Sequence, residues 1–158
     1  MGSLNWANTT NYTPDIPLFV SLSTSVATIQ ITMNNIMSIV AASSVTITNT
    51  GTIPETVVIY GSTETAGSPW SLGVSSAIEV AVLQGLWNSS QPSASSFTTA
   101  ITTTTTISQA AGNYAGNQNG FEIPVGQSKT MWFEFWRPTS SSVLGTQVID
   151  VYFVPVYP

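Results

Sequence analysis

The chain has 158 residues, enough for one domain with a hydrophobic core, and only 6% of them are charged, against about 25% in ordinary proteins. Seven acidic residues face two basic ones, Lys129 and Arg137, so no basic patch can neutralise phosphates. This argues against a nucleic-acid partner and against an anionic membrane surface. No run reaches the ~18 apolar residues that span a bilayer, so we expect no membrane insertion.

The shortage of charge also bears on location. Solubility must rest on Thr, Ser, Asn and Gln, whereas cytoplasmic proteins usually stay dispersed through charge repulsion. We therefore expect an extracellular or cell-surface protein, with a virion protein as the alternative. Cysteine is absent, so the chain has no disulfide framework.

Strand signals dominate from residue 16 onward. Several runs alternate, as Val45 and Ile47 do with Thr46 and Thr48, which is typical of an antiparallel sheet with one buried face. Eight β-branched or aromatic runs separated by turn residues predict an all-β antiparallel sandwich with less than about a tenth of its residues in helix. The predicted strands cover residues 16–22, 26–32, 44–49, 55–61, 76–84, 97–106, 129–136 and 146–156.

The chain divides into an arm and a body. Residues 1–15 predict an N-terminal arm whose aromatic residues follow no repeating period, and residues 16–158 predict a single sandwich domain. The segment from about 64 to 120 is predicted to be an elaborated middle part with an extra hairpin and a long polar loop. The side chains expected to anchor the arm are Leu4, Trp6 and Tyr12.

The strand predicted at 55–61 is apolar on both faces. Val57 and Ile59 alternate with Val58 and Tyr60, so each face of the strand carries large apolar side chains. Since such strands are usually covered on both faces, we expect something to cover the outer face of this sheet.

Two stretches resemble immunoglobulin-like modules of bacterial and archaeal surface proteins. SVTITNTGTIPETVVIY, residues 44–60, is similar to the strand–turn–strand of such modules, and FEIPVGQSKTMWFEFWRPTSSSVLGTQVIDVYF, residues 121–153, is similar to their later half. The resemblance implies an immunoglobulin-like β-sandwich, with a jelly roll as the alternative fold. Similar modules serve as stalks, surface-layer pieces, adhesin repeats and carbohydrate-enzyme accessories.

Residues with obvious catalytic chemistry are missing. The chain has no histidine and no cysteine, which removes histidine-based triads and histidine or cysteine metal sites. We therefore expect a protein that is not an enzyme and that uses no cofactor or metal. Three acids lie in apolar strand context, and each is expected to face solvent: Glu79, Glu122 and Glu134.

The sharpest cluster is MWFEFW, residues 131–136. The two-residue period assigns Met131, Phe133 and Phe135 to the core face. Three interpretations stay open for the opposite face: a sugar-binding platform, an interface with another copy, or burial under the middle segment with Arg137 pairing the acid. That face carries Trp132, Glu134 and Trp136.

These patterns favour a non-enzymatic extracellular structural protein, the subunit of a surface filament or layer that assembles with itself by strand addition. The alternatives are a carbohydrate-binding or adhesin module and a virion capsid or spike protein. Three sites match the N-glycan acceptor pattern and predict a glycoprotein: Asn8, Asn11 and Asn88.

Overall fold

The computed structural model describes residues 19–25, 36–63, 68–143 and 146–158. Within these ranges the fold is all-β, with two sheets and a single turn of 3-10 helix at Ala94–Ser96, so the all-β prediction is confirmed. The strand expected at 26–32 lies outside the described residues. So do the predicted arm, 1–15, and its candidate residues Leu4, Trp6, Asn8, Asn11 and Tyr12.

Ten strands build the two sheets, and the strands predicted at 44–49, 55–61, 129–136 and 146–156 all form. The strands in chain order are β1 (Leu22–Thr24), β2 (Ser38–Val40), β3 (Val45–Asn49), β4 (Thr56–Thr63), β5 (Ser71–Leu72), β6 (Val80–Trp87), β7 (Thr99–Ile101), β8 (Thr106–Ile107), β9 (Ser128–Trp136) and β10 (Ile149–Val156).

The larger sheet has seven strands and curls into a half-barrel. Its order is β1-β3-β9-β6-β5, with β2 also on β9 and β7 also on β6. Val40 pairs with Glu134 and Val45 pairs with Met131, so β2 and β3 follow the same edge of β9 as one interrupted strand. All pairings are antiparallel except that of β5 with β6.

The smaller sheet has the order β10-β4-β8. Strands β4 and β10 pair over their full length, from Thr63 opposite Ile149 to Thr56 opposite Val156. The run 97–106, expected to be one strand, instead divides into β7 in the larger sheet and β8 in the smaller one. The chain changes sheets between them, where Gly61 N–H donates to the Thr102 carbonyl at 2.8 Å.

The core lies between the inner faces of the two sheets, and Trp87 is at its centre. Trp87 is fully buried, its indole N–H donates to Ser108 Oγ at 3.1 Å, and its ring centroid lies 6.4 Å from that of Phe153. A Cβ at Gly120 would come within 2.7 Å of the Trp87 ring, so the loop before β9 passes directly over the indole. The polar middle segment is thereby held to the core.

We predict a large difference in stability between two isoleucine variants of the smaller sheet. Ile59 is fully buried whereas Ile107 is 45% exposed. Ile59→Ala should lower the free energy of unfolding by about 2–5 kcal/mol, because it leaves a cavity between the sheets. Ile107→Ala, the matched control, should cost less than about 1 kcal/mol. Denaturant unfolding measures both, and equal losses would contradict this assignment of inner and outer faces.

Candidate functional site

Neither a cluster of metal ligands nor a membrane-spanning helix occurs among the described residues. Nowhere in these ranges do three acidic side chains come together as metal ligands. No helix in the described ranges is long and apolar enough to cross a bilayer.

The three residues of the predicted platform occupy different environments. Trp136 is 38% exposed, and Trp132 is half-buried with its indole N–H donating to the Asn88 carbonyl at 3.0 Å. Glu134 is 1% exposed, so the expectation that it faces solvent is wrong. Of the three side chains, Trp136 is thus the most exposed.

The segment that follows β6 contacts both β9 and the strand region on the far side of β9. Asn88 N–H donates to the Thr130 carbonyl at 2.9 Å, and Gln91 Nε2 donates to the Ala41 carbonyl at 3.1 Å. Because Ala41 lies on the far side of β9 from β6, the chain must cross the outer face of β9 before returning to β7. Glu134 Oε1 and Arg137 Nε are buried, and neither has a hydrogen-bond partner among the described residues. If Arg137 pairs with Glu134, as one interpretation expects, these two atoms do not make the contact.

A cleft of about 360 Å³ opens beside Trp136. Its floor comes from Val82 and Gln84 on β6 and from Trp136, which pairs with Val82 in register. Its walls come from segments far apart in the chain, contributing Met37, Val74, Ser75, Ser76 and Thr139.

Backbone contacts fix the two polar walls to each other. Ser76 Oγ donates to the Arg137 carbonyl at 2.6 Å, and Thr139 N–H donates to the Ala77 carbonyl at 3.0 Å. Glu79 N–H donates to the Ser140 carbonyl at 2.9 Å. The cleft is therefore preformed by the turn before β6 and the segment after β9.

The carboxylate of Glu79 strengthens this connection. Ser142 N–H donates to Glu79 Oε1, and Ser141 Oγ donates to Glu79 Oε2 at 2.9 Å. The Ser142 backbone N–H holds the pKa of Glu79 below its ordinary value, with smaller support from the two serine hydroxyls, while partial burial acts in the opposite direction. Trp70 donates its indole N–H to the same Ser141 Oγ at 2.7 Å and joins the network.

A second candidate site is the outer edge of β10, which lies at the end of the smaller sheet. On β4, Val57 and Gly61 direct their backbone groups away from β10, so the even-numbered residues of both strands bond to each other. The N–H groups of Val151 and Phe153 then point to the outer edge, where no other described strand pairs with them. Pro155 has no N–H and faces the same edge, as proline in edge strands does.

The outer face of the smaller sheet is largely apolar, with one exposed acid, Asp150, on the same face near the start of β10. Tyr60 and Tyr152 stack across β4 and β10 with ring centroids 4.7 Å apart. Ile107, Tyr152 and Val154 are each 39–45% exposed. The cover that the sequence predicts for this face is therefore incomplete within the described part of the chain.

The remaining predicted positions lie apart from the cleft. Asn88 is half-buried, and its side-chain amide donates to the Ser90 carbonyl at 2.9 Å while its Oδ1 accepts from Asn117 N–H at 2.9 Å. A glycan there would have to share the amide with the Ser90 contact. Glu122 is exposed near the end of the loop before β9.

Comparison with protein-family models, with curated proteins and with solved structures finds no match to this chain.

Sequence reasoning identified Trp136 but missed the rest of the cleft. Gln84 lies within a predicted strand and gave no signal of its own. Ser75 and Thr139 lie in turn-rich segments that resemble many others in a chain so rich in Ser and Thr. These residues come together because the segment between β5 and β6 folds against the segment that follows β9.

We predict that Glu79→Gln weakens the fold in a pH-dependent way. Since the pKa of Glu79 is lowered in the folded state, its charge stabilises the fold above the unfolded-state value near 4.5, and this contribution is lost as the pH falls through the folded value. The difference in unfolding free energy between wild type and Glu79→Gln should therefore shrink from pH 6 to pH 3, in a denaturant series at about one-unit steps.

Ser141→Ala is the matched control for this prediction. It removes one hydroxyl donor but keeps the carboxylate and the Ser142 N–H, so part of the pH dependence should remain. A Glu79→Gln difference that stays constant across the series would contradict the role assigned to this carboxylate.

Proposed function

We propose that this protein is a non-enzymatic structural subunit, extracellular or on a cell surface, that assembles with copies of itself by strand addition. The observation that carries the proposal is the outer edge of β10, eight residues long and without a strand partner in the described part of the chain. Long unpaired edges are usually blunted or covered, because they recruit other strands.

The β10 edge suits an added strand. Its outward groups include the N–H of Val151 and Phe153 and the carbonyls of Val151, Phe153 and Pro155. An extended segment can bond to these groups while its alternate side chains fill positions beside the core. Pro155 limits the hydrogen-bond ladder at one end of the edge and so favours one register over others.

The strand order supports an immunoglobulin-like arrangement that lacks its last strand. In such sandwiches, strands A-B-E-D form one sheet and C-F-G the other. Here β1-β3-β9-β6 corresponds to A-B-E-D, and β4-β10 corresponds to C-F. The G strand would lie on the free edge of β10, whereas β7 and β8 depart from the pattern. We prefer this arrangement to a jelly roll, which uses eight strands in two Greek keys.

The surface of the smaller sheet supports contact between copies. Most of its outer face is apolar, and Asp150 is the one acid of β10 on that face; the apolar side chains are Val58, Tyr60, Ile107, Tyr152 and Val154. With a net charge of −5 on 158 residues, repulsion between neighbouring copies is small. Large exposed apolar patches on folded proteins commonly mark interaction sites.

The proposed donor is the N-terminal arm, residues 1–15. In an extended arm Leu4 and Trp6 would share one side, opposite Asn5 and Ala7. A donor segment and an acceptor edge on the same chain create a head-to-tail contact, and a head-to-tail contact that does not close yields a filament. A carbohydrate-binding or adhesin module and a virion capsid or spike protein are the alternatives, and the symmetry of the assembly distinguishes a filament from a virion.

We predict that removing residues 1–15 abolishes assembly. The full chain should form filaments in electron micrographs, whereas the truncated chain should be monomeric by light scattering, because it keeps the β10 edge but has lost the donor. A synthetic peptide of residues 1–15 added to the truncated chain should bind to it. Circular dichroism verifies that the truncated chain retains its β-structure.

Two single substitutions in the full chain test the same proposal without truncation. Trp6→Asn should weaken assembly because it removes the larger side chain from the buried side of the donated strand, while Asn5→Ala, on the opposite side, should have little effect. Strand addition by this arm is wrong if the truncated chain shows the oligomeric state of the full one.

A further inference from the structure

The cleft beside Trp136 has the features of a ligand site, and it is independent of the assembly edge on β10. Four of the five tryptophans lie in the described residues. Three of them donate their indole N–H to the protein, to Ser141 Oγ from Trp70, to Ser108 Oγ from Trp87 and to the Asn88 carbonyl from Trp132. Trp136 has no such partner in the described ranges and stays 38% exposed.

The side-chain amide of Gln84, like the Trp136 indole, has no partner in the part of the chain that the structure describes. It is half-buried on the floor of the cleft, and it forms no hydrogen bond within the described structure. The Gln84 amide atoms are not among the buried side-chain atoms that lack a partner, so they are open to the cleft and available to a ligand. Ser75 and Thr139 line the same cleft and each carries a hydroxyl group. The cleft therefore presents one apolar ring and several free hydrogen-bonding groups to the same volume.

The charge of the cleft selects against ions. None of its lining residues is charged, and Glu134, which lies opposite Gln84 in register, is buried. No cation lines the volume to receive a phosphate, a sulfate or a uronic acid. A matching ligand is consequently neutral, with one apolar face and a rim of hydroxyl groups.

We propose that this cleft binds a neutral saccharide, with one pyranose ring stacked on the Trp136 indole and its hydroxyls bonded to Gln84, Ser75 and Thr139. The negative face of an indole ring attracts the C–H groups on the apolar side of a sugar. The volume of about 360 Å³ lies near the low end of the range of roughly 300–1,000 Å³ for small-molecule sites. The site thus takes a single ring or the end of a chain. It differs from a two-tryptophan platform, because Trp132 is held by Asn88 and Glu134 is covered.

The test is a titration of the full chain, labelled with nitrogen-15, followed through the indole N–H signals in two-dimensional NMR spectra. These signals separate the five tryptophans, and a Trp136→Phe variant assigns the relevant one. The probes are neutral hexasaccharides of glucose, mannose, xylose and galactose, with hexagalacturonate as the charged counterpart. At least one neutral probe should shift the Trp136 signal along a saturating curve, and hexagalacturonate should bind more weakly.

Two variants and one control locate the site. Trp136→Ala should abolish binding measured by calorimetry, and Gln84→Ala should weaken it about three- to tenfold, the loss expected for one neutral hydrogen bond. Tyr157→Ala removes another exposed aromatic ring, outside the cleft, and should leave binding unchanged. Trp136→Phe retains a ring and serves as the cleft variant if Trp136→Ala does not fold.

Clear results would overturn the proposal. It is wrong if none of the four neutral probes saturates the Trp136 signal with a Kd below about 10 mM. It is also wrong if hexagalacturonate binds as tightly as the best neutral probe, or if Gln84→Ala leaves the affinity of that probe unchanged. Because the titration measures binding to each copy, its outcome does not depend on whether the copies assemble through β10.

Discussion

The larger sheet depends on the pairing of β9 along both of its edges. Strand β6 bonds to one edge from Met131 to Trp136, and β3 and β2 together occupy the other. Neighbouring strands occupy both edges of β9, so its side chains point alternately to the two faces of the sheet. Met131 and Phe133 enter the core, while Glu134 and Trp136 lie on the outer face. The core and the cleft are therefore built on the two faces of one strand.

The shortage of cations shapes how this protein buries its acids. Glu55 and Glu134 are both almost fully buried, and each has a carboxylate oxygen without a hydrogen-bond partner in the described ranges. The other oxygen of Glu55 accepts from Ser21 N–H at 2.6 Å. With two basic residues in the chain, backbone N–H groups and hydroxyls must do what ion pairs do elsewhere, as they do for Glu79.

Part of the fold was predictable because strand patterning is local. The two-residue period of residues 45–48 and 131–136 gave the correct inner faces, since it depends on neighbouring side chains alone. The run 97–106 was predicted as one strand because nearly all of its residues are β-branched or aromatic, types that favour strands. Its division between two sheets depends on contacts with β4 and β6, which come from other parts of the chain.

The sequence by itself determined an all-β chain with little charge, the alternation along β9 and the apolar outer face of β4. Tertiary structure alone decided that Glu134 is buried, that Trp136 stays exposed, and that Ser75 and Thr139 meet beside Gln84. The physical reason is the distance along the sequence over which each feature is determined. Periodicity tells which face a side chain occupies, but the cover over that face comes from contacts such as Gln91 with Ala41, 50 residues apart.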